Sequence, residues 1–160
     1  MVIIVTGTPG TGKTKIARFL SKALRYTFVD VHSLLRSKKL WSSYDKQRKC
    51  YVVDKKKLVK RLLAEVKKNK ESILDSHMSH YLPKKYVELC IVTHCDITLL
   101  KKRLEQRKYS RLKTRENLDA EIFQTCLTEA QELGHQIIEV DTTKTFDKKK
   151  LLKEVRKWIS

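Results

Sequence analysis

Glycine and proline are scarce in this chain, four and two among 160 residues. With so few chain breakers, and no Ser/Gly-rich or low-complexity run, nothing reads as a linker or an internal repeat. Residues 1–160 are therefore expected to form a single domain. A domain of that length buries roughly two thirds of the surface its unfolded chain exposes, so it needs neither metal nor disulfide staple. Long apolar runs are missing too. The run Val2 to Val5 is too short for a signal-peptide core and no other run could cross a bilayer. That predicts a soluble protein with no membrane partner, cytoplasmic or, in a eukaryote, nuclear. The four cysteines, Cys50, Cys90, Cys95 and Cys126, lack C-x-x-C spacing. They are expected to be buried thiols rather than zinc ligands or a redox pair. Acid is the last shortage: 18 Asp and Glu face 36 Lys and Arg, for a formal charge of +18. Such a field draws polyanions, so RNA or a ribonucleoprotein is an expected partner. A lysine-rich thermophile surface would carry matching glutamate, and this one does not.

What is present alternates. Val2 to Val5 is β-branched and ends at a glycine-rich turn, which predicts a strand buried on both faces. Ile16, Ala17, Phe19, Leu20, Ala23 and Leu24 recur at helical spacing, predicting a helix over 13–25. Further strands are expected at 27–31, 72–75, 87–93 and 136–140, and further helices at 54–69, 96–107, 114–133 and 147–159. Residues 32–53 read as a mixed polar segment. Strands alternating with helices predict an α/β fold with a mainly parallel sheet covered on both sides.

Gly7-Thr8-Pro9-Gly10-Thr11-Gly12-Lys13-Thr14 satisfies G-x-x-x-x-G-K-[ST] in full. Successive backbone N–H groups must curl around a β-phosphate, and glycine tolerates the positive φ and close approach that this demands. Pro9 has no N–H to give, so the cradle is expected from Gly10, Thr11, Gly12, Lys13, Thr14 and Lys15. Lys13 is the residue to reach the β- and γ-phosphates of ATP, and Thr14 to ligate Mg²⁺. A neighbouring strand should end in a carboxylate that holds the metal, and Asp75 in "SILDSHMSH" fits best, holding Mg²⁺ through water. Asp96 reads instead as the cap of the helix "DITLLKKRL", and Asp141 as the start of a polar turn. His77 could orient or deprotonate a water or hydroxyl. His80 reads as an ordinary polar loop residue, and His32, His77 and His80 have no recognised zinc spacing.

Phosphoryl transfer needs cations around the migrating group. Arg103 and Arg107 lie four apart on one helix face, and Arg111, Lys113 and Arg115 follow. This basic helix-turn-helix tip reads as a lid over ATP, with Arg107 the first choice for phosphate contact.

"TGTPGTGKT", Arg36 in "HSLLR", Asp75-Ser76-His77 and "RLEQRKYSRLKTRENLDAEI" together resemble the adenylate kinase isoenzyme 6 family, adenylate-kinase-like ATPases of small-ribosomal-subunit maturation. The resemblance covers essentially the whole chain. It implies a P-loop nucleoside-monophosphate (NMP) kinase fold with a five-stranded parallel sheet, an NMP-binding segment over about 30–53 and a lid over about 106–116. It also implies Arg36 for the acceptor monophosphate, Arg107 for ATP, Lys144 near the adenine and His77 for hydrolysis. Broad NMP kinase and ATPase activities are implied, with transient binding of the universal small-subunit ribosomal protein number eleven and a role in rRNA maturation. One departure stands out: the family's NMP segment is acidic, whereas "SYDKQRKCYVVDKKK" is basic here. NMP kinase, ATP-driven assembly switch with negligible kinase activity, and a small-molecule kinase with a different acceptor all remain open from these residues, the last disfavoured by the lid motif.

Overall fold

The computed structural model describes residues 1–37 and 39–159. The β-branched start forms β1 (Val2–Gly7), with every residue buried. The chain then runs α1 (Lys13–Leu24), β2 (Thr27–Asp30), α2 (Val31–Ser37), β3 (Trp41–Asp45), β4 (Cys50–Val53), α3 (Lys55–Lys68) and β5 (Ser72–Asp75). Two 3₁₀ turns lead to β6 (Leu89–His94), and α4 (Ile97–Gln106), α5 (Arg111–Ile122), α6 (Thr125–Glu132), β7 (Ile137–Asp141) and α7 (Lys148–Ile159) follow. Five strands form one parallel sheet in the order β2-β5-β1-β6-β7. This is the α/β P-loop kinase architecture.

Strand side chains alternate between faces, and the core divides accordingly. Ile3 and Val5 pack with Ile16, Leu20, Leu151 and Val155, so α1 and α7 cover that face. Val2 and Ile4 pack with Leu35, Leu58, Leu62 and Ala130, from α2, α3 and α6. Leu100 and Leu104 of α4 join Cys95 in a smaller cluster against Tyr109 and Leu118. Strand order reverses across β1, whose neighbours are β5 and β6. In parallel sheets the ligand crevice opens at such a point, outside the carboxyl ends of the strands. Among the described helices none is long and apolar enough to cross a membrane.

Two expectations are corrected. Residues 32–53 are not simply a polar segment: they hold the short helix α2 and an antiparallel hairpin, β3 with β4. The hairpin evades a hydrophobic-period reading because its residues are half-buried or exposed, and its order comes from ring contacts such as Trp41 on Tyr51 at 4.3 Å. Nor do residues 114–133 form one helix. Ser110 caps α5 through its side chain to the Lys113 N–H, and the helix stops at Ile122. Gln124 then takes a left-handed conformation, φ 50°, before α6. The break turns Leu127 and Ala130 onto the sheet.

Glycine carries no Cβ penalty in that conformation, while glycine inside a continuous helix costs about 1 kcal/mol. Gln124→Gly is therefore expected to raise unfolding free energy by about 0.5–1 kcal/mol in urea titrations. A loss of similar size would restore the single-helix reading.

Candidate active site

Three of the four glycines lie at the end of β1 and in the loop after it, each with positive φ. Gly7, at φ 137°, runs so close to β6 that a Cβ would sit 2.4 Å from both the carbonyl and the hydroxyl oxygen of Thr93. Only glycine fits. Beyond it, the Thr11 hydroxyl donates to the Thr8 carbonyl at 2.7 Å and meets the Thr93 hydroxyl at 2.6 Å. From the far side, Thr142 donates to the Thr11 carbonyl at 2.7 Å. Helix α1 starts from Gly12 with no side-chain cap and no acid in its first turn. Its leading N–H groups and positive dipole end are left for an anion.

Lys13 folds over the loop and donates to the Thr8 carbonyl at 3.0 Å. Burial pushes its pKa down to about 8, against the pull of Asp75. An arriving phosphate would reverse that shift by supplying a counter-charge. Asp75 ends β5 level with Val5 of β1, which places its carboxylate at the crevice. Thr14 donates its hydroxyl proton to Asp75 Oδ2. Burial raises the Asp75 pKa, while the Thr14 bond and Lys13 oppose the rise. A hydroxyl and a carboxylate side by side form a hard oxygen donor set, the chemistry that suits Mg²⁺ with several waters retained.

The two histidines after β5 part ways. His77 is exposed in the cleft. The protein around it and the charge of Lys13 both disfavour its imidazolium, so its pKa is lowered and the ring is neutral. His80, expected to be an ordinary loop residue, is buried at the root of the phosphate loop. Its Nδ1 lies 2.7 Å from the Thr6 hydroxyl, and its Nε2 lies 2.8 Å from Glu129 Oε2. Burial lowers its pKa more than Glu129 raises it. A neutral ring with Nε2–H directed at the carboxylate leaves Nδ1 to accept from Thr6. His80 thus ties α6 to the residue before Gly7, and Tyr81 shares the same Glu129 oxygen at 3.0 Å.

The arginines are distributed differently from a simple phosphate cluster. Arg103 donates to the Gly10 and Thr142 carbonyls at 3.2 Å each, bracing the loop from behind. With Gly12, Lys15, Thr142, Lys144 and Phe146 it lines a cavity of about 310 Å³ beside the start of α1. Arg107 stands at the C-cap of α4, exposed, with its charge felt at Lys13. Arg36 is exposed near the end of α2. Across the cleft, Arg48 of the hairpin turn pairs with Glu116 of α5 at 2.6 Å. Thr93, Thr142 and Glu129 carry no motif, and only the tertiary structure brings them to the loop. Cys90 and Cys95 are buried, Cys50 and Cys126 half-buried, and all four are free thiols.

With this geometry in view, the chain can be set beside known proteins. A family model described as an AAA domain matches residues 3–124. The "Adenylate kinase isoenzyme 6 homolog" of Dictyostelium discoideum is 32% identical over 159 residues, 98% of this chain and 90% of its own length. A Methanocaldococcus jannaschii relative, provisionally named an adenylate kinase, is 38% identical over 143 residues, 89% of this chain and 77% of its own. Among solved structures, shikimate kinase from Acinetobacter baumannii superimposes with a TM-score of 0.63 at 16% identity, covering 99% of this chain and 92% of that one. That likeness concerns the fold alone. Sequence identity over most of both chains, joined to the phosphate loop and its acidic neighbour strand, places the chain in the adenylate kinase isoenzyme 6 family of P-loop kinases.

Proposed function

We propose that this protein transfers the γ-phosphoryl group of MgATP to a nucleoside monophosphate, with AMP the first acceptor to try. The observation that carries the reading is the uncapped start of α1, with Lys13 folded over it and the Thr14-Asp75 pair beside it. The β-phosphate would lie on the amides of Gly10 to Lys15. The adenine side would face the cavity of Arg103 and Lys144. An acceptor phosphate oxygen, anchored by Arg36 in the NMP segment of 30–53, attacks the γ-phosphorus in line. The bond from that phosphorus to the β,γ-bridging oxygen breaks, and ADP leaves with the electron pair. Lys13, joined by Arg107 from the lid of 106–116, neutralises charge on the oxygens of the migrating group. Thr14 and, through water, Asp75 would hold Mg²⁺, which would supply positive charge to offset that of the phosphates.

A second reading rests on His77. A neutral imidazole at the cleft can accept a hydrogen bond from water, which suits ATP hydrolysis when no acceptor is bound. In that mode the protein acts as an ATPase of small-subunit maturation, engaging the ribosomal protein number eleven and rRNA. The +18 charge supports an rRNA-containing partner. Residence in the cytoplasm, or the nucleus of a eukaryote, belongs to this reading.

Adding AMP to protein and MgATP is expected to raise ATP consumption by at least about tenfold, with ADP accumulating at twice the rate of AMP loss. Consumption unchanged by AMP or any other NMP would overturn the kinase reading. His77→Ala is expected to lower acceptor-free hydrolysis by about 10² while changing AMP phosphorylation far less. Equal losses in the two assays would remove the water-positioning role.

A further inference from the structure

On the α6 side of the sheet, past the α5-α6 break, β6 and β7 leave a groove of about 350 Å³. Val92, Ile97, Ile122 and Leu127 supply its apolar walls, and Glu121 and Glu139 its carboxylates. Phe123 stands between two wall residues, Ile122 and Gln124, with 74% of its surface exposed, and Ile122 itself is 57% exposed. An exposed phenylalanine and isoleucine beside an apolar groove mark an interaction site more than a solvated loop. Thr8 and Thr93 also line it, so the groove adjoins the phosphate loop, but the kinase chemistry uses none of the wall side chains just named.

Local charge names the occupant. Between Arg115 and Lys144 stand seven acids and not one lysine or arginine, in a chain that carries twice as many basic as acidic residues overall. At physiological salt a ligand senses charges within about 8 Å. The lining holds Glu121 and Glu139 and no lysine or arginine. Although the buried Lys13 reaches Thr8 and is felt at Glu121 and Cys126, the exposed Glu139 end of the groove is negative despite the +18 of the whole chain. We propose that this groove docks a lysine- and arginine-rich peptide segment of a partner protein, with an apolar side chain seated between Ile122 and Leu127 and basic residues on Glu121 and Glu139. RNA is disfavoured because its phosphates would meet those carboxylates. A closed two-fold pair of this chain is disfavoured because it would set the acidic face against itself. The proposal is independent of the phosphoryl-transfer reading, since neither Phe123 nor Glu139 belongs to that machinery.

Fluorescence anisotropy on the full chain tests it, with a labelled peptide of about fourteen residues that carries two central leucines among lysines and arginines. The same peptide with serines for the leucines is expected to bind at least about tenfold more weakly. Phe123→Ser and, separately, Glu139→Lys are each expected to weaken the leucine peptide about tenfold while acceptor-free ATP turnover stays within about twofold. Glu139 is exposed on an edge strand, so its variant keeps the test decisive should Phe123→Ser fold poorly. Equal affinity for the two peptides, or no loss in Glu139→Lys, would overturn the proposal. So would binding of labelled oligouridylate that is lost in Phe123→Ser, which would make the groove an RNA site. A dimer in sedimentation that dissociates in Phe123→Ser would assign the groove to a second copy and overturn it as well.

Discussion

The site hangs on one close approach, the backbone of Gly7 against Thr93 of β6. No side chain fits there, because a Cβ would lie 2.4 Å from the Thr93 oxygens. The contact turns the chain out of β1 at a fixed angle, and the loop's later amides inherit it. Thr11, Thr93 and Thr142 then hold the loop by hydroxyl bonds from two strand ends. A loop held this way is fixed in shape before any ligand arrives, so little reorganisation is needed on binding. Asp75 shares the dependence, since its place beside Thr14 follows from the β1-β5 register.

Much of this was legible in the residues themselves. The β-branched run, the glycine spacing and the amphipathic stretch after it announce strand, loop and helix, because each obeys a local rule. Asp75 was legible for the same reason, as an acid closing a short apolar run, and Asp96 caps α4 as its position suggested. His80 was not. Its role depends on Glu129, distant in sequence, and on Thr6, whose hydroxyl points inward only because β1 is buried on both faces. The α5-α6 break was hidden as well, since glutamine gives no warning of a left-handed conformation that tertiary packing imposes. The hairpin of β3 and β4 has too few buried residues to show a period. Arg103 is legible as a cation for ATP, but its bonds to the Gly10 and Thr142 carbonyls are not, because they join segments distant in sequence.

Charge is distributed with the same economy. Cations gather at the phosphate loop and along α4, α3 and α7. The stretch from α5 to β7 carries the opposite sign and the most exposed aromatic ring. Glu121 lines the groove and accepts from the Cys95 N–H just before α4, while Thr8 of the phosphate loop lines the same groove.

In the proposed kinase, two nucleotide sites converge on one phosphate loop. Titration calorimetry with two adenosines joined through five phosphates measures this directly. One equivalent is expected to bind in the presence of Mg²⁺, at least about tenfold tighter than ATP, because the second adenosine binds as a tethered ligand. Affinity no better than that of ATP would mean that the acceptor site is absent and would contradict the account.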